Sequence, residues 1–181
     1  DEVERAEEEL RKSDEEDRRV VKRATETLKK SKDELEREIK RLEDELERSN
    51  REVEERGVDK SLLEELEKVT RDHKKRLRDL LETVRRLTED HLEKIKKIHE
   101  DTKRASEEHL KAIRELERRG GVREEIKKLL DHNRRVLEES ERRIRELLRT
   151  NREVLERVKK ELDELLEHNR RVLEEVEKRV R

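Results

Sequence analysis

The chain has 181 residues, of which 59% are charged and only 27% hydrophobic, and its 52 basic and 54 acidic side chains leave a net charge of −2. Cys, Met, Phe, Trp, Tyr, Pro and Gln are absent; this excludes disulfides, thiolate chemistry and cysteine zinc sites, and removes the aromatic platforms on which single-stranded nucleic acid stacks. Balanced charge argues against a nucleic-acid partner, the longest apolar run of two residues argues against a membrane span, and no targeting signal is legible.

High charge with low hydrophobicity marks disorder when net charge is also high; here it is small, and the hydrophobic periodicity decides for order. The only breakers are Gly57 and the pair Gly120–Gly121. They predict three helices, over about 2–56, 59–119 and 122–180. Helix 1 opens with EVERAEEEL, a solvated face with i,i+4 charge pairing. It repeats every 18 residues through Val3/Val21/Ile39, Ala6/Ala24/Leu42, Leu10/Leu28/Leu46 and Ser13/Ser31/Ser49. Gly57 suits the left-handed position that ends a helix.

Asp59 is the candidate N-cap of helix 2, with Val58 and Leu63 spaced as a hydrophobic staple; Ser61 with Glu64 offers an alternative capping box. Helix 2 keeps the period in Thr70/Thr88/Ser106, His73/His91/His109, Leu77/Ile95/Ile113 and Leu80/Ile98/Leu116. Helix 3 shows it most openly, in the successive blocks LLDHNRRVLEESERRIRE, LLRTNREVLERVKKELDE and LLEHNRRVLEEVEKRVR. Turns this short force antiparallel neighbours. Eighteen residues complete five turns at 3.6 per turn, so the stripe does not drift around the helix. The expected fold is therefore all-α: a straight, untwisted antiparallel three-helix bundle running up, down and up, a single domain over 1–181 and a rod roughly 90 Å long.

The same period sets polar residues into the apolar stripe. With the turns fixing heights, Ser13 is expected beside His109 and Asn133, Ser31 beside His91 and Asn151, and Ser49 beside His73 and Asn169. Ser106, Thr88 and Thr70 complete three layers roughly 27 Å apart along the helix rise. Threefold repetition fits a hydrogen-bond network that fixes register better than an active site. A fourth cluster breaks the symmetry: Asp17 stands in the class of Leu35 and Val53, His99 in that of Leu63 and Leu81, Thr102 in that of Leu66 and Val84, and Ser140 in that of Val158 and Val176. Asp, His and Ser together raise the question of a catalytic triad, but no Gly-rich oxyanion loop or strained turn accompanies them. They read as an added specificity network. His109 with His132, and His73 with His168, are placed to face each other, though two histidines without a Cys or a committed carboxylate make a weak metal site. No metal, cofactor or small-molecule substrate is expected.

Long hairpins, missing residue types, the 18-residue period and the Ser/Thr/His/Asn layers resemble computationally designed helical bundles. The segments DHNRRV (131–136) and EHNRRV (167–172) are similar to the histidine–asparagine layers of the pH-responsive members. Natural spectrin-like three-helix repeats, by contrast, carry aromatic core residues. The resemblance implies a structural scaffold rather than an enzyme, with self-association or designed partner helices as the alternative, since the stripes of helices 2 and 3 are wide enough to seat another helix. Inward-facing His73, His91, His99 and His109 make loosening in acid a further expectation.

The period carries one geometric prediction: interhelical crossing angles near zero, not the roughly +20° of supercoiled bundles. A crystal structure with continuous left-handed supercoiling would refute it.

Overall fold

The computed structural model describes residues 1–120 and 123–180. It contains three helices, α1 (Glu2–Glu55), α2 (Lys60–Arg118) and α3 (Arg123–Val180), of 54, 59 and 58 residues. Among the described residues there is no strand, and no helix is long and apolar enough to cross a membrane. The fold is an all-α three-helix bundle, α1 and α3 running antiparallel to α2.

Local sequence explains where each helix starts and stops. Asp1 caps α1, its carboxylate accepting from the Val3 amide at 3.2 Å. At the other end the amides of Arg56 and Gly57 donate to the carbonyls of Val53 and Glu54, tightening the last turn, and Gly57 takes φ +85°. Asp59 then caps α2, accepting from the Leu62 amide at 2.9 Å. The choice left open between Asp59 and Ser61 thus falls to Asp59. Val58, half-buried, packs against the cluster of Val53, Leu66 and Val176. Gly120, at φ +74°, ends α2 in the same way as Gly57 ends α1. Gly121 and Val122, where the second breaker pair and the start of helix 3 are expected, lie outside the described residues.

The described residues group into two compact units, each built from a piece of every helix: Asp1–Lys29 with Glu89–Thr150, and Lys30–Thr88 with Asn151–Arg181. In the first unit the core has two clusters. Val3, Ala6 and Leu10 meet Ile113 and Ile126, while Ala24 and Leu28 meet Ile95, Ile98 and Ile144. In the second, Leu35, Ile39, Leu42 and Leu46 pack on Leu77, Leu80 and Val84 and on Leu155, Val158 and Leu162, and Val53, Leu66 and Val176 form a smaller cluster. Small Ala6 and Ala24 occupy in the first unit the positions that Leu42 fills in the second. Partly exposed ion pairs trace one antiparallel register: Glu7 with Arg114 in the first unit, Glu36 with Arg85 and Glu47 with Lys74 in the second. Pairs as exposed as these contribute little stability and are screened by salt; the burial of the apolar stripe holds the helices together.

Gly57 meets nothing within 4 Å of where a side chain would begin, so only its backbone conformation resists substitution. Gly57→Ala is expected to destabilise the protein by about 1 kcal/mol through the left-handed φ alone. Guanidinium denaturation measures this; an unchanged midpoint would show that the turn is not held in that conformation.

Candidate functional site: buried imidazole and amide layers

In the second unit a polar chain crosses all three helices. Asn50 on α1 donates its amide Nδ2 to Thr70 Oγ1 on α2 at 2.5 Å, and Thr70 donates in turn to the Leu66 carbonyl at 2.8 Å. Asn169 on α3 donates to Asn50 Oδ1 at 3.3 Å. His73 Nδ1 and Asn169 Oδ1 are both buried without a hydrogen bond of normal geometry, yet Asn169 is close enough to favour the charged imidazole. The other face of His73 turns outward, with Nε2 at 2.9 Å from Nδ1 of the exposed His168.

In the first unit His109 Nδ1 lies 2.9 Å from Asn133 Oδ1. An amide oxygen only accepts, so His109 donates from Nδ1. Its ring stands edge-on to that of exposed His132, centroids 4.9 Å apart. Ser106 is buried one turn away on α2. The remaining layer residues are divided between the units. Thr88 and Asn151, both buried, belong to the second and buried His91 to the first. The Thr88 hydroxyl is buried without a partner, a situation that costs about 1–3 kcal/mol.

The serines expected on α1 are not buried. Ser13, Ser31 and Ser49 are half-buried, and none makes a side-chain hydrogen bond among the described residues. Asn50 occupies the inward position instead, 3% exposed. The step of seven positions from Leu46 to Val53 makes just under two turns, so positions 49 and 50 straddle the inward direction, and the longer amide reaches partners that a serine hydroxyl does not. The sequence held a signal for it: Asn50 breaks a class whose other members, Asp14 and Lys32, are charged, and no other Asn occurs in α1 or α2.

Asp17, His99 and Ser140 come together in the first unit. His99 Nδ1 is 2.6 Å from Asp17 Oδ2, and the Ser140 hydroxyl donates to Asp17 Oδ1 over a long 3.4 Å. Thr102 is level with them but donates to its own helix, to the Ile98 carbonyl. The carboxylate is the hub here. In a catalytic triad the imidazole is central and takes the serine proton; in this cluster the serine is bonded to the carboxylate and has no base. Burial pushes the Asp17 carboxyl up, against the lowering effect of His99 and Ser140. Glu141 on α3 is raised as well, by burial first and then by the neighbouring Glu16 carboxyl.

Burial also holds His73 and His91 below the usual imidazole range; for His73 the neighbouring His168 adds to this, while Asn169 and Asp72 oppose it. Among the described residues no group of three or more His, Asp or Glu is arranged to hold a metal ion. A scan against family models, a search of curated proteins and a search of solved structures each returned no match for this chain.

The pH response follows with its sign. An imidazole depressed in the fold binds protons more readily when unfolded, so its neutral form stabilises the fold above about pH 6.5, and that stability is lost as pH falls toward the folded value. Asp17 and Glu141 act oppositely: raised carboxyls weigh against the fold at neutral pH, and their protonation in acid relieves it. The guanidinium midpoint is expected to fall between pH 7.5 and pH 5, and to fall less in a variant carrying His73→Asn and His91→Asn. Equal losses in both proteins would remove the histidines from the account.

Proposed function

We propose that this chain is a structural scaffold of the de novo designed kind, without a substrate to turn over, whose buried polar layers dictate which residues of its helices face one another. The observation that carries this reading is the Thr70–Asn50–Asn169 chain. Its hydrogen bonds join three helices, and sliding any helix by one turn would leave buried amides without partners, at about 1–3 kcal/mol each. The order of the Asp17 cluster supports a positioning role over catalysis. Among the described residues Val180 is the one large hydrophobic side chain that is exposed, which favours a bundle complete in itself over a subunit awaiting partner helices. A second reading, acid-responsive behaviour, rests on the depressed imidazoles of His73 and His91.

The scaffold reading is tested by cross-linking. Cysteines replacing Glu47 and Lys74 report the native register; cysteines replacing Glu47 and Arg78 report a slip of one turn. With the network intact, a short bismaleimide is expected to join only the first pair. In a background of Asn50→Leu, Thr70→Val, His73→Leu and Asn169→Leu, both pairs should react. If both backgrounds give the same products, the layers do not set the register.

A further inference from the structure

The two imidazole pairs between α2 and α3 are built alike. His73 with His168, and His109 with His132, lie two repeat periods apart on both helices, with ring centroids 5.1 and 4.9 Å apart and interplanar angles of 78° and 77°. In each pair the α2 histidine is buried and the α3 histidine exposed. In the neutral form of His109, donation from Nδ1 to Asn133 leaves Nε2 as the nitrogen with a free lone pair. An imidazole held in this way by a carbonyl oxygen on its far nitrogen is the usual arrangement of a metal-bound histidine. At His73, Nε2 and His168 Nδ1 are 2.9 Å apart, a hydrogen bond in which one ring nitrogen donates to the other.

We propose that each pair is a binding site for a divalent late transition ion, copper(II) above the others, which at His73–His168 takes the place of the hydrogen-bonded proton. A separation of 2.9 Å is the chord between two nitrogens about 90° apart around an ion about 2.0–2.1 Å from each. Right angles suit the tetragonal copper(II) and nickel(II) ions, whereas tetrahedral zinc needs the nitrogens farther apart, and copper heads the affinity order for imidazole. The neutral imidazole is the form that binds metal. The carboxylates beside the exposed histidines are engaged elsewhere, Asp131 with Arg134 and Glu167 with Arg171. Among the described residues no third His, Asp or Glu is arranged at either pair, and the exposed α3 histidine leaves each pair open to water. This goes beyond the scaffold reading: the sites depend on the α2–α3 register alone and do not require the layers to have set it.

The test is titration of the full chain with copper(II) at pH 7.5, followed by visible absorption and electron paramagnetic resonance. Two ions per chain are expected, with hyperfine structure from two nitrogens, and a higher melting temperature in their presence. His168→Gln and His132→Gln change exposed residues and should leave the fold intact; each should lose one ion, and the double variant both. Zinc should bind at least tenfold more weakly. The proposal is overturned if the double variant keeps the same copper stoichiometry, if the spectra show oxygen ligands only, if the intact chain takes up fewer than two ions, or if zinc binds as tightly as copper.

Discussion

A hydrogen-bonding side chain inside an apolar seam has lost its water and is costly unless a protein partner replaces it, and in the scaffold proposed above that requirement selects the alignment of the helices. Leucine and valine stripes attract one another at many axial offsets, because the hydrophobic effect has no direction. Amides do have direction. Asn50 reaches both Thr70 and Asn169, and in the other unit His109 reaches Asn133. Apolar burial supplies the attraction, and in the proposed scaffold the polar layers select among its solutions.

The Asp17 cluster applies the same logic with charge. A carboxylate 2% exposed is costly to desolvate, and it is tolerated because His99 and Ser140 occupy its two oxygens. Raised carboxyls at Asp17 and Glu141 and depressed imidazoles at His73 and His91 mean that acid acts on this molecule in two opposite senses.

On the outside, the 59% of residues that are charged do a different job. Pairs such as Arg11–Glu8 and Lys94–Asp90 lie along single helices and favour helix over coil, while Glu9–Arg134 and Arg179–Glu65 join neighbours. The two signs nearly balance, 52 basic against 54 acidic side chains.

What the sequence determined by itself was everything that depends on local periodicity. Three helices, their turns at Gly57 and Gly120, the up-down-up order and the inward histidines of α2 follow from stripe, breakers and turn length, which act within a few residues. Burial of Asp17, Thr102 and Ser140 was legible because each interrupts an apolar class. Tertiary structure decided what depends on a few tens of degrees of helix rotation. That rotation brought Asn50 rather than Ser49 inward and left Ser13 and Ser31 half-buried, and periodicity cannot resolve two adjacent positions that flank the inward direction. It also made the Asp17 carboxylate, not an imidazole, the centre of its cluster, since which oxygen meets which donor is set by side-chain reach across three helices and is encoded in no one of them.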